Sequence, residues 1–156
     1  MTSEHLLHTI PPIYDGNSKI LILGSFPSVK SREVSFYYGH PQNRFWRVLA
    51  AVLGCAVPSS NEEKTALLQS HNIALWDVIK SCDIVGSSDS SIKNVVPNDI
   101  GVILSSCGIR QIYSNGKTSE KLFNKYIKDT VGRDTVALPS TSPANASYNL
   151  ERLTDS

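Results

Sequence analysis

Between Gly24 and Trp46 the chain reads G-S-F-P-S-V-K-S-R-E-V-S-F-Y-Y-G-H-P-Q-N-R-F-W. Aromatic rings, side-chain amides and turn-forming residues are concentrated in a segment too irregular for core. Ring faces stack on flat heterocycles, and amides pair with their hydrogen-bonding edges. That equipment suits a pocket that receives a nucleobase. A second loop, Pro139 to Asn145, reads P-S-T-S-P-A-N and also leaves an apolar run. Parallel strands bring their carboxyl ends to one side of a sheet, so the two loops are expected to flank a single cleft.

The surrounding chain must supply the strands and helices that hold these loops. Lys19 to Leu23, K-I-L-I-L, is a continuous apolar run that suits a buried parallel strand, with Gly24 opening the loop at its end. Phe45, Val48, Leu49 and Val52 recur at helical spacing and predict a helix over 45–53, stopped at Gly54. Ser59 or Ser60 is expected to cap a second helix. Glu62 and Glu63 would favour its dipole, Leu67 and Leu68 form its apolar face, and His71-Asn72 end it. Residues 73–79, around Trp76-Asp77, read as strand or extended segment, and 83–91 as a polar loop. Asn98-Asp99 is placed to cap a helix running to Ser106. Residues 109–113 predict a strand, with Ser114-Asn115-Gly116 turning out of it.

Residues 119–128 then predict an amphipathic helix. Leu122, Phe123, Tyr126 and Ile127 face inward, and Lys117, Lys121, Lys125 and Lys128 stripe the outside. Residues 135–138 read as the last strand and 149–153 as a short closing helix, whereas 1–18, with Pro11-Pro12, is turn-rich. The alternation predicts an α/β three-layer sandwich: a central, mostly parallel β-sheet flanked by helices, as one domain over 1–156.

At 156 residues with a formal net charge of +1, the chain has an ordinary globular composition and no whole-protein field for nucleic acid or membranes. Cys55, Cys82 and Cys107 are widely spaced, with no C-x-x-C pair and no Cys/His cluster at metal spacing. They read as buried free thiols in a reducing compartment, with no metal and no cofactor expected. The N-terminus has no basic leader, and no run approaches a membrane span. A cytoplasmic monomer with no membrane partner is the expectation.

The block Y-Y-G-H-P-Q-N-R-F-W resembles the His-Pro-x-Asn-Arg-Phe-Trp segment of mismatch-specific enzymes in the uracil-DNA glycosylase superfamily. With G-S-F-P-S before it, and A-L-W-D-V and L-P-S-T-S-P-A after it, the pattern is most similar to the hypoxanthine-DNA glycosylase branch. The similarity runs in order from about Lys19 to Asn145. It implies a monofunctional enzyme acting on DNA that contains a deaminated base, hypoxanthine or also uracil. The base is flipped from the helix and its N-glycosidic bond is hydrolysed without a metal.

Carried over by position, the resemblance makes Asn43 the catalytic residue, holding the base or the attacking water. A helix N-cap is the ordinary task of an Asn placed there. Tyr38 matches a stacking aromatic, and Ser25, Phe26 and Ser140 would line the base pocket. In better-known branches the first loop reads Gly-x-Asp-Pro or Gly-x-Asn-Pro, and that polar residue positions water. Here Phe26 fills the slot, so Asn43 must act alone or with backbone groups. The second loop matches the element that enters the helix. It implies DNA contacts from Thr141, Ser142, Ala144 and Asn145, although the superfamily's catalytic His is absent there. His40 and Arg44, with Lys30 and Arg32, are the nearer candidates for phosphate contacts. Asp77 and Asp89 are secondary candidates for facing the cleft. A uracil or mismatch glycosylase, or a base-binding module of the same fold without catalysis, remain the alternatives.

Overall fold

The computed structural model describes residues 4–7, 10, 12–26, 37, 45–84 and 92–138. In chain order the elements are β1 (Glu4–Leu7), β2 (Ile20–Gly24), α1 (Phe45–Leu53), α2 (Asn61–Ser70), β3 (Ile73–Asp77), β4 (Ile79–Ile84) and β5 (Lys93–Pro97). They continue as α3 (Gly101–Ser106), β6 (Gln111–Asn115), α4 (Lys117–Tyr126), α5 (Lys128–Val131) and β7 (Thr135–Leu138). Four strands form a parallel sheet in the order β3-β2-β6-β7. The other three form an antiparallel sheet, β1-β4-β5.

Alternation along the central strands separates two cores. Ile22, Ile73 and Leu75 point toward Phe45, Trp46, Leu49 and Leu68 of α1 and α2. Leu21, Leu23, Ala74 and Ile112 point the other way, toward Ile100, Ile103, Phe123 and Ile127 beside α3 and α4. Helices therefore cover both faces of the sheet, and β2, one of its two central strands, reads as an unbroken apolar run, as burial on two sides requires. The three-layer expectation holds. A third, smaller cluster of Ile79, Cys82 and Ile84 lies with the antiparallel sheet.

Local chemistry explains the element ends. Gly54 follows α1 at φ 68°, a left-handed conformation that glycine adopts freely. Ser60 caps α2 by accepting from the Glu63 amide at 3.1 Å. The Glu63 carboxylate reaches back to the Ser59 amide at 2.9 Å and its hydroxyl at 3.1 Å, so both serines take part.

Several expectations are corrected. Asn98 does not cap α3, whose first turn has no side-chain cap; its amide faces the main chain of β3 and β4 instead. Strand β6 lies two residues later than predicted, because Ser114 is accommodated inside the sheet by a 2.7 Å contact with the Thr135 hydroxyl. The helix expected from Ser119 begins at Lys117 and gives way to α5 after Tyr126. Residues 83 and 84 belong to β4 rather than to a loop, and β1 and β5 join it in a sheet that was not anticipated. All three cysteines are free, but only Cys82 is buried; Cys55 is exposed at the end of α1, where the chain turns away from the core. The closing helix expected over 149–153 lies outside the described residues.

Candidate functional site

The parallel sheet ends in a straight row. Gly24 is in register with Asp77, Leu23 with Ser114, and Asn115 with Leu138. The last residues of the four strands are thus Asp77, Gly24, Asn115 and Leu138, side by side at the carboxyl edge. Asp77 shares a face with Ile73 and Leu75, Gly24 with Ile22, and Asn115 with Tyr113. All of these apolar neighbours pack in the cluster that holds Tyr37, Phe45 and Trp46. One face of the edge therefore carries a carboxylate and an amide on either side of a glycine. Their strands are two spacings apart, about 10 Å, and no side chain stands between them. Asp77 is 4% exposed and Asn115 half-buried, so the pair forms a floor.

The first loop is tied to this floor through main-chain bonds. The Val78 amide donates to the Gly24 carbonyl at 2.8 Å, and the Ile79 amide to the Ser25 carbonyl at 3.1 Å. Ser25 is half-buried at the edge. Phe26 packs against Ile79, Cys82 and Ile84, the core of the second sheet. An apolar side chain in this loop thus has a packing task, consistent with its inability to orient water.

The ends of the aromatic and amide segment are anchored on the same face. Tyr37 is 2% exposed, and Phe45 and Trp46 are each 5% exposed. Trp46 Nε1 donates to the Tyr37 carbonyl at 3.1 Å, and Tyr37 Oη donates to the Ile10 carbonyl at 3.3 Å. Phe45 meets Trp46 edge-on, centroids 4.9 Å apart, and the Lys64 ammonium sits 5.4 Å from the Trp46 ring centroid. Partial burial pushes the Lys64 pKa down. Tyr37, Phe45 and Trp46 thus belong to the layer that packs on the face carrying Asp77 and Asn115.

Tyr38, His40, Asn43 and Arg44 lie outside the described residues, as do Ser140, Thr141, Ser142, Ala144 and Asn145. The same is true of Lys30, Arg32 and Asp89. Of the predicted positions, the structure brings Ser25, Phe26 and Asp77 to one edge. Asn115 is the residue that sequence reasoning passed over as a turn. Its signal was a polar residue closing an apolar strand immediately before Gly116. Among the described residues no group of three or more His, Cys, Asp or Glu side chains is arranged to hold a metal ion.

The sequence matches the uracil DNA glycosylase superfamily over residues 11–156. The chain belongs to that superfamily. Two relatives named hypoxanthine DNA glycosylase come from Methanosarcina species. The Methanosarcina barkeri protein is 36% identical over 137 residues, 86% of this chain and 85% of its own. The Methanosarcina acetivorans protein is 35% identical over 144 residues, 91% of this chain and 90% of its own. A solution NMR structure from Methanosarcina acetivorans, provisionally named a uracil DNA glycosylase, superposes with a TM-score of 0.80 at 34% identity. That match covers 94% of this chain and 91% of the other. The superfamily fold thus extends over both sheets described above.

Proposed function

We propose that this superfamily member is a monofunctional DNA glycosylase that excises a deaminated base, hypoxanthine first, by hydrolysis of the N-glycosidic bond. The observation that carries this reading is the pair of Methanosarcina relatives named for that activity, matched over most of both chains. The polar floor at the sheet's carboxyl edge supplies chemistry that fits it.

Flipping the base costs a few kcal/mol of stacking and pairing. Tyr38 recovers part of that by stacking on the extruded ring. The edge of hypoxanthine presents an N–H donor beside a carbonyl acceptor, and a carboxamide presents the complementary pair. Asn115, fixed at the end of β6, is the described side chain with that chemistry on the floor. As the bond breaks, negative charge gathers on the base and positive charge on the sugar. Donors aimed at the base therefore stabilise the transition state more than the ground state. Asn43 takes this catalytic role, on the base or on the attacking water. The Asp77 carboxylate, on the same floor, favours the positive sugar. Ser25, Phe26 and Ser140 bound the pocket, and His40, Arg44, Thr141, Ser142, Ala144 and Asn145 contact the DNA. The protein acts as a monomer.

The test is base release from duplexes carrying deoxyinosine, uracil or a G·T mismatch, read as abasic sites cleaved by alkali. Excision from deoxyinosine is expected. Product from uracil alone would reassign the activity to the specificity named for the NMR relative. Binding to every duplex without product would leave a base-binding module.

A further inference from the structure

At Val78 the chain passes from Asp77, the last residue of β3 in the parallel sheet, to Ile79, the first residue of β4 in the antiparallel sheet. A strand changing sheets leaves main-chain carbonyls without ladder partners, and here one residue serves three of them. The Asn98 side-chain amide donates to the Asp77 carbonyl at 2.9 Å and to the Ile79 carbonyl at 3.1 Å. Its own main-chain amide donates to the Val78 carbonyl at 2.7 Å. The amides of the same crossover, on Val78 and Ile79, donate to Gly24 and Ser25 at the start of the first loop. Asn98 is 8% exposed, so water does not readily replace these bonds.

From this continuous chain of bonds we infer that Asn98 is a positioning residue of the candidate active site. By fixing the crossover it sets the height of Asp77 on the floor, and through residues 78 and 79 it sets the carbonyls from which Ser25 and Phe26 depart. The inference rests on the reading of that edge as the glycosylase site. It goes further by assigning part of the site's precision to a residue some twenty positions away in sequence that does not touch the substrate. An asparagine is required because both amide hydrogens are used. Aspartate has no donor to offer the two carbonyls, and serine has one.

The experiment pairs single-turnover excision from a deoxyinosine duplex with amide hydrogen exchange on the full chain. In Asn98→Ala, exchange at Val78 and Ile79 should accelerate while the β6–β7 ladder stays protected. Excision at saturating enzyme should slow roughly ten- to hundredfold, the scale expected when catalytic groups are slightly misplaced. Affinity for undamaged duplex should hold, and Asn98→Ser should recover part of the rate. Ile103→Val, in the core on the opposite face of the sheet, is the control for lost stability alone and should keep the wild-type rate. Unchanged exchange at residues 78 and 79, or a control that slows excision as much as Asn98→Ala, overturns the inference. A wild-type chain that releases no base from any duplex overturns the glycosylase reading instead, and the exchange data still report on the clamp.

Discussion

Residues at the floor differ from those in the loops in what their removal should change. Asn43 stands two residues before α1 in sequence, whereas Asn115 is part of a strand paired on both sides. Replacing either by alanine removes an amide, and at Asn115 the change falls within the sheet's hydrogen-bonded ladder. Asn43→Ala should lower single-turnover excision by about 10²–10³-fold, the cost of deleting one preorganised donor. Its melting temperature should stay close to wild type, and turnover near wild type would show that Asn43 is only a helix cap. Asn115→Ala should reduce the rate and also weaken capture of the flipped base, since recognition and stabilisation use one amide. Asn43 stands out as a candidate because it lies in a distinctive sequence block. Asn115 was not, because a polar residue before glycine looks like any turn until strand register places it beside Gly24.

Among the elements, those announced by unbroken apolar runs or regular helical spacing were the readable ones. β2, α1 and β7 fall where hydrophobicity puts them. The antiparallel sheet was hidden for physical reasons. β4 carries register irregularities between Ile79 and Ser81 and between Ser81 and Asp83, so its inward positions do not alternate cleanly. β5 is mostly exposed and presents almost no apolar pattern. The α4 start was misjudged because Ser119, which resembles a cap, is buried and donates to the Leu23 carbonyl at 2.7 Å, docking the helix on β2.

α2 depends most on its ends, since Leu68 is its one fully buried residue. Hydrogen bonds from the Ser59 main chain and hydroxyl hold the Glu63 carboxyl below its usual range. A depressed carboxylate contributes stability that is fully present above its unfolded-state pKa and is lost as pH falls through the folded value. Glu63→Gln should therefore melt at a lower temperature than wild type at neutral pH, and the difference should close as the acid range is entered. A gap that persists at pH values below the carboxylate range would mean that the reciprocal cap is not the source.

For the whole molecule, a net charge of +1 means that DNA affinity must come from a few placed cations rather than from a general field. The most visible basic feature is the α4 stripe, and the structure gives it local occupations. Lys128 pairs with Asp134 at 3.0 Å, which raises its pKa, and the Lys125 ammonium lies 5.2 Å from the Tyr126 ring centroid. The Lys128–Asp134 pair is exposed and worth little to stability, as expected of a solvated face. Arg44, next to the proposed catalytic Asn43 in sequence, is the cation proposed to meet a phosphate flanking the flipped nucleotide. Each neutralised phosphate contributes about −0.9 to the slope of log affinity against log salt. Titrations of duplex binding between about 50 and 200 mM salt should therefore separate the two groups. Arg44→Gln should make the slope shallower by about one, and the paired Lys121→Gln, Lys125→Gln variant should leave it unchanged. The reverse result would move the phosphate contacts from Arg44 to the outer face of α4, and the carboxyl-edge site would have to be reached from that side.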